Sequence, residues 1–282
     1  MQLREILRIA AKKLKEEGFP TPFLDAEVLL SYILGVSRTF LYSHPEYVLT
    51  REEQKRYETL LMRRLLGEPV AYLVGEKEFR GRPFKVNRQV LIPRPETELL
   101  VDEALTLALH FSSGRKRIID VGTGSGAIGV TIAAELERAW VLATDISCGA
   151  LMVAQENAQR LGVRGKMDFL ICKELTAISG QFHLILSNPP YIPSGEMEKL
   201  PAGVKNFEPL VALDGGKNGL DMHTKLIREA PSCLVPGGWL LLEIGGTGAN
   251  MVKEIATDAG YTDIKIIRDF MGLERVIAMR KG

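Results

Sequence analysis

Four consecutive residues, Asn188-Pro189-Pro190-Tyr191, carry the clearest chemistry in this 282-residue chain. They follow the run FHLILS, which has the apolar character of a buried strand, so they are expected at a strand's carboxyl end. A planar NH₂ group is a poor nucleophile because its lone pair is delocalised. Two acceptors that take its two N–H bonds can aim the nitrogen and encourage it to pyramidalise. The Asn188 side-chain oxygen is one such acceptor. The backbone carbonyl of Pro189 is the other, since proline loses its N–H but keeps its carbonyl. Tyr191 can stack on a flat substrate. Displacement at a methyl carried by a sulfonium is in-line, and it needs alignment more than a strong base. Alone, Asn-Pro-Pro-Tyr after a strand also reads as a stiff turn.

The upstream residues favour the chemical reading. Asp120-Val121-Gly122-Thr123-Gly124-Ser125-Gly126 follows the apolar run RIIDV. Glycines permit a tight turn and close backbone approach to a ligand, and the helix that follows offers free N–H groups. The spacing is G-x-G-x-G, not the G-x-G-x-x-G that suits a dinucleotide pyrophosphate. Asp145 ends the next strand, about 20 residues on, where a carboxylate can accept from both hydroxyls of a ribose. Gly122, Thr123, Gly124, Ser125, Gly126 and Asp145 are therefore the candidate cofactor contacts, together with Asn188. Asp120 has two readings: a water-mediated contact to the cofactor's ammonium, or a structural role.

These residues must be held by a scaffold. From Arg115 onward strand and helix alternate: RIIDV, then GVTIAAEL as helix, WVLATD, a helix from Ala150 to Leu161, MDFLI and FHLILS. A long Pro/Gly-rich loop, a helix near Thr224 to Cys233, WLLLEI, a helix from Ala249 to Ala259, and the strands DIKIIR and ERVIAMR follow. This alternation predicts a mainly parallel sheet covered by helices on both faces, with the last two strands antiparallel. Residues 98–282 are read as this α/β domain, its first helix running from Glu98 to His110. Residues 76–97 are read as a hairpin and connector, interrupted at Gly81, Pro83 and Asn87 and held extended around Arg94 by Pro93 and Pro95. Residues 1–75 are read as a small helical domain. Its first helix shows Leu3, Ile6, Leu7, Ala10 and Leu14 at helical spacing, with Gly18 past its end. A second runs from about Asp25 to Ile33, ending at Gly35. A third starts at a Thr50/Glu53 capping box and continues to Gly67.

Bulk properties set limits. Hydrophobic residues make up 46% of the chain, enough for a sizeable core. A net charge of +1 gives no global attraction to nucleic acid, so direct nucleic-acid binding is not expected. Three cysteines, Cys148, Cys172 and Cys233, match no metal or redox spacing, and no metal-ligand cluster is evident. The N-terminus lacks a signal-peptide pattern, and no apolar run reaches the roughly 18 residues that a membrane span needs. The protein is read as cytoplasmic.

The glycine turn, Asp145 and Asn188-Pro189-Pro190-Tyr191, in this order, resemble class I methyltransferases acting on planar amino groups of adenine, guanine or glutamine. Further segments narrow the resemblance. Gly67-Glu68-Pro69-Val70-Ala71-Tyr72-Leu73, Phe79 and Ile92-Pro93-Arg94-Pro95-Glu96-Thr97-Glu98 are similar to the peptide chain release factor glutamine methyltransferases, the HemK/PrmC family. So are Phe207-Glu208-Pro209, Ala212-Leu213, Gly215-Gly216, Gly219-Leu220-Asp221 and Leu242-Glu243-Ile244-Gly245.

The resemblance covers nearly the whole chain. It implies a Rossmann-like, mainly parallel seven-stranded sheet with a small N-terminal helical domain and a hairpin connector. It implies transfer of a methyl from S-adenosylmethionine to the glutamine side-chain nitrogen in the Gly-Gly-Gln loop of class 1 release factors, leaving S-adenosylhomocysteine and needing no metal. The helical domain would help hold the release factor. Arg94, Glu96 and Thr97 match the connector motif, and Arg94 and Thr97 are assigned to substrate binding with the tetrapeptide; a plain Pro-rich linker with capping residues would look the same. The chain departs from the family at Gly246-Thr247-Gly248-Ala249-Asn250, where a Gln is usual. It departs again at Cys172-Lys173-Glu174-Leu175, where an acid in a Gly-Asp-like pair is usual, so no adenine contact is assigned. The alternatives are a ribosomal-protein glutamine, an exocyclic amino group of adenine or guanine in nucleic acid, and a non-catalytic Rossmann-like binding module.

Overall fold

The computed structural model describes residues 1–111, 114–246 and 248–282, so Thr247 of the Gly246–Asn250 departure lies outside the described residues. The described chain divides into two compact units. One contains Met1–Glu76 and Pro201–Phe207; the other contains Lys77–Leu200 and Glu208–Gly282. No helix of the described residues is long and apolar enough to cross a membrane.

The first unit is helical. Helices α1 (Leu3–Glu16), α2 (Pro22–Leu34), α3 (Arg38–Ser43), α4 (Arg51–Leu65) and α5 (Val70–Val74) enclose a core that includes Leu14, Leu29, Leu30 and Tyr57. Helix α2 starts three residues before the expected Asp25, because Pro22 can occupy the first turn, where its missing N–H costs nothing. The Thr50/Glu53 capping box forms in both directions. Helices α3 and α5 are too short to show a hydrophobic period, and the sequence did not reveal them. Asp25 is buried, and its charge is met by Arg64 at 2.8 Å and by the Thr21 hydroxyl at 2.8 Å. The segment Pro201–Phe207 packs here through a close approach: a Cβ on Gly203 would stand 3.0 Å from the Gly67 carbonyl oxygen.

The second unit is built on a sheet. After the hairpin β1 (Glu76–Phe79) and β2 (Arg82–Lys85) and the helix α6 (Glu98–Ala108), the order is β3 (Lys116–Val121), α7 (Ala127–Glu135), β4 (Ala139–Asp145), α8 (Cys148–Arg160), β5 (Met167–Ile171) and β6 (Phe182–Ser187). The Pro/Gly-rich loop after β6 holds 3₁₀ turns at Ser194–Lys199 and Leu210–Ala212 and, in its part that belongs to the first unit, a short helix, α9 (Ala202–Lys205). Then come α10 (Asp221–Cys233), β7 (Leu234–Glu243), α11 (Ala249–Asp258), β8 (Tyr261–Arg268) and β9 (Glu274–Lys281). Seven strands lie in the order β5-β4-β3-β6-β7-β9-β8. The first five are parallel, and β9 runs antiparallel to both β7 and β8.

Successive strand residues face opposite layers, as the pleat requires. Ile118, Leu184, Leu186 and Leu241 pack under α6, α7 and α8, with Phe79 and Phe84 of the hairpin in the same cluster. Ile119, Ile185, Leu240 and Leu242 pack under α10 and α11. With both faces covered, the parallel strands must be apolar almost throughout, which is why their runs were readable.

Candidate active site

Strand order reverses between β3 and β6, which opens a crevice at the carboxyl ends of the strands. The register sets what meets there. Val121 pairs with Thr144 on one side and Ser187 on the other, and Ser187 pairs with Leu242. The next residue of each strand therefore stands at one level, giving the row Asp145, Gly122, Asn188 and Glu243. Neighbouring strands lie about 4.8 Å apart, so Asp145 and Asn188 are separated by about 10 Å. The Ser187 hydroxyl donates to the Val121 carbonyl at 2.8 Å and locks the central pair.

The glycine turn departs from Gly122. Gly122, Gly124 and Gly126 have φ of 69°, 55° and 83°, a left-handed sequence that residues with a Cβ adopt at a cost. A Cβ on Gly126 would meet Val130 Cγ2 at 3.0 Å and Ala154 Cβ at 3.2 Å, so this glycine serves helix packing. Gly122, Thr123, Gly124 and Ser125 line a cavity of about 470 Å³; Gly126 does not. Asp145 lines the same cavity and also ties the turn: its Oδ2 accepts from Gly124 N at 2.9 Å and its Oδ1 from Ser147 N at 2.9 Å. Burial raises the Asp145 carboxyl above its ordinary range, against the pull of these backbone donors.

Asp120 anchors the turn through one oxygen, while its buried Oδ1 has no hydrogen-bond partner among the described residues. The residue is fully buried and off the cavity wall, and its Oδ2 accepts from Thr123 Oγ1 at 2.6 Å and Gly129 N at 2.9 Å. Burial pushes its pKa up to about 6. Asp120 braces the turn against α7.

Asn188 and Pro190 line the cavity, whereas Pro189 and Tyr191 do not. The Tyr191 ring lies over Gly245, where a Cβ would come 3.1 Å from Cδ2, and burial pushes its hydroxyl up to about 12. The chain beyond the tetrapeptide is pinned by backbone hydrogen bonds, Ile192 N to Leu213 O at 3.0 Å and Gly215 N to Ile192 O at 2.8 Å. Gly219, at φ 73°, closes this clamp: a Cβ there would stand 2.4 Å from the Tyr191 carbonyl oxygen.

The connector residues turn inward. Thr97 is buried, donates to Glu243 Oε2 at 2.6 Å and accepts from Asn188 Nδ2 at 3.2 Å. Arg94 lines the cavity and bonds Glu208 Oε1 at 2.6 Å, while Glu208 Oε2 accepts from Ile92 N at 3.2 Å. One buried carboxylate thus ties the Phe207-Glu208-Pro209 loop to the connector. Glu96 stays half-exposed, 3.9 Å from Arg275. Glu243 had been noted only as part of a family motif; it is buried, and its pKa is pushed up to about 7, chiefly by burial.

At the far end, Cys172, Lys173 and Glu174 also line the cavity, and Glu174 pairs with Lys225 at 3.2 Å. The cavity lies within the range of about 300–1,000 Å³ usual for small-molecule sites. A left-handed glycine turn at its wall and a carboxylate one strand away fit a nucleoside bearing an amino-acid tail. Among the described residues no group of three or more His, Cys, Asp or Glu is placed to hold a metal ion.

Comparison with known proteins supports this geometry. A family model described as the PrmC N-terminal domain matches residues 5–75, and one described as the methyltransferase small domain matches residues 97–202. The chain is 43% identical to the release factor glutamine methyltransferase of Koribacter versatilis, over 100% of this chain and 99% of that protein. It is 39% identical to the protein of the same name from Bradyrhizobium diazoefficiens, over 97% of this chain and 93% of that one. The hMettl16 catalytic domain, solved with a MAT2A 3′UTR hairpin, superposes with a TM-score of 0.59 at 17% identity, covering 78% of this chain and 81% of that one. At that identity the likeness shows the fold alone, a Rossmann-like methyltransferase sheet.

Proposed function

Because the chain belongs to the release factor glutamine methyltransferase family, we propose that it transfers a methyl group from S-adenosylmethionine to N5 of the glutamine in the Gly-Gly-Gln motif of class 1 peptide chain release factors. The observation that carries the mechanism is the row formed by Asp145, Gly122 and Asn188 on three adjacent strands. When bound, S-adenosylmethionine supplies an electrophilic methyl on a sulfonium. Asp145 holds the ribose, and the backbone of Gly122–Ser125 holds the amino-acid end. Asn188 Oδ1 and the Pro189 carbonyl accept the two N–H bonds of the substrate amide and direct its nitrogen, and one of these protons is released to solvent when the methyl takes its place and S-adenosylhomocysteine is left. Tyr191, rigid over Gly245, and Arg94, anchored on Glu208, contact the loop that carries the glutamine. Holding the nitrogen in line is the main contribution of these residues, worth about 7–11 kcal/mol in favourable cases of orientation.

The helical unit, residues 1–75, binds the release factor outside the glutamine loop, residues 76–97 connect, and residues 98–282 catalyse. A translation factor as substrate supports a cytoplasmic location for the reaction. Purified protein with methyl-labelled S-adenosylmethionine, offered a release factor, ribosomal proteins and nucleic acid together, labels the release factor. Label appearing first in a ribosomal protein or in nucleic acid would reassign the substrate.

A further inference from the structure

We propose that Glu243, acting through Thr97, fixes the orientation of the Asn188 side-chain amide so that its oxygen, and not its NH₂, faces the substrate nitrogen. This rests on the functional reading above and adds two positioning residues to it.

Hydrogen-bond polarity sets the direction of the relay. An ionised carboxylate only accepts. The Thr97 hydroxyl has one hydrogen, which goes to Glu243 Oε2 at 2.6 Å, a length typical of charge-assisted bonds. The Thr97 oxygen can then only accept from Asn188, and the NH₂ group at 3.2 Å is the donor. The amide oxygen is left for the cavity that Asn188 lines. Thr97 stands at the start of α6 without making a side-chain cap bond, so its hydroxyl is committed to Glu243 and Asn188 at the cavity wall. The register supplies the third member: Ser187 pairs with Leu242, which brings Asn188 and Glu243 level on adjacent strands beneath Thr97.

Protonation reverses the relay. A neutral Glu243 can donate to Thr97, whose hydrogen is then free to seek the Asn188 oxygen. The amide that follows presents its NH₂ to another NH₂, donor against donor. The groups facing Glu243 are Glu96, which opposes its ionisation, and Arg94 and Arg275, which favour it. The nearby Tyr191 hydroxyl is held neutral, and buried His223, its pKa lowered, bonds the Glu243 carbonyl through Nε2 at 2.9 Å. Burial outweighs the two arginines, and the carboxyl titrates near pH 7. Since the ionised form sets the productive amide, turnover is lost as pH falls through that value.

The test measures kcat, KM for the release factor and Kd for S-adenosylmethionine in Thr97→Val, Thr97→Ser and Glu243→Gln, from about pH 5.5 to about pH 8.5. Thr97→Val lowers kcat about 10–100-fold, with KM and Kd within about twofold. Thr97→Ser, which restores the hydroxyl, recovers kcat to within about threefold of the native enzyme. The native enzyme shows an acid limb near pH 7 that Glu243→Gln lacks. In an NMR spectrum, one Asn188 side-chain NH₂ proton is protected from exchange in the native protein and loses protection in Thr97→Val.

A native kcat in Thr97→Val, losses of kcat and Kd in step, or an unchanged acid limb in Glu243→Gln would overturn the proposal. If Thr97→Val does not fold, the Glu243→Gln profile decides. If the native protein leaves release factors unmethylated, the functional reading fails, and the NMR protection still judges the relay.

Discussion

Asn188→Ala lowers kcat for glutamine methylation about 10²–10³-fold, the usual effect of deleting one pre-set hydrogen-bonding group that acts on the reacting atoms. The Kd for S-adenosylmethionine changes by less than about threefold, because the glycine turn and Asp145 are untouched. The reason is positional. Asn188 leaves β6 level with Gly122, so its side chain borders the cavity where the turn begins. Alanine keeps the backbone course, which is fixed by Ser187 bonded to Val121 and by the clamp of Ile192 on Leu213 and Gly215. It removes the acceptor that orients the substrate nitrogen. It also removes the donor to Thr97, whose oxygen is then left with Glu243 alone. Single-turnover rates beside calorimetric titration of the cofactor check this split. A variant that turns over at the native rate would remove Asn188 from the chemistry.

Asp145→Ala acts on the other side of the division. The Kd for S-adenosylmethionine rises about 10²-fold, while kcat at saturating cofactor stays within about threefold. The carboxylate has two tasks. Each oxygen already accepts one backbone N–H, from Gly124 or from Ser147, and each keeps a lone pair for a ribose hydroxyl. Hydrogen bonds to a charged group are worth about 1.5–3 kcal/mol, so losing the ribose contacts alone accounts for the change, and a looser turn adds to it. Asp145→Asn is also impaired, because one amide NH₂ must face a backbone N–H. Calorimetry on both variants separates the tasks. If Asp145→Ala binds the cofactor with native affinity, the ribose assignment is wrong.

The two variants trace what the sequence revealed and what it did not. MDFLI and FHLILS became β5 and β6 with the same ends; β6 is buried along nearly its whole length and so reads as an apolar run, while the edge strand β5 is buried only at Met167 and reads through its apolar, strand-favouring residues. The glycine turn, Asp145 and Asn188 were readable because each stands at the carboxyl end of an apolar strand run, Asp145 as its last residue and Gly122 and Asn188 one step past it. Register was not readable. Nothing local announces that Leu242 pairs with Ser187, so Glu243 stayed a motif letter although Thr97 bonds it across 146 positions. For the same reason Arg94 and Thr97 were read as facing a substrate, or as a linker with caps. Both border the cavity: Arg94 is braced on Glu208, and Thr97, buried, is bonded to Glu243 and Asn188.

Short elements escaped for a different reason. Helices α3 and α5 complete fewer than two turns, and packing rather than periodicity holds them. The Pro/Gly-rich stretch after the tetrapeptide was read as one loop, yet Pro201–Phe207 packs with the helical unit and Glu208 anchors the connector. Asp120 had two open readings; its burial and its Oδ2 bonds to Thr123 and Gly129 support the structural one, while its buried Oδ1 has no hydrogen-bond partner among the described residues.

The central claim is that the amide cradle at Asn188 methylates one glutamine in a release factor. It is tested most directly by incubating the purified protein and labelled S-adenosylmethionine with a class 1 release factor and with its Gln→Ala variant in the Gly-Gly-Gln loop. The account predicts stoichiometric label in the native factor, mapped by mass spectrometry to that glutamine, and none in the variant. Label that persists in the variant would contradict it.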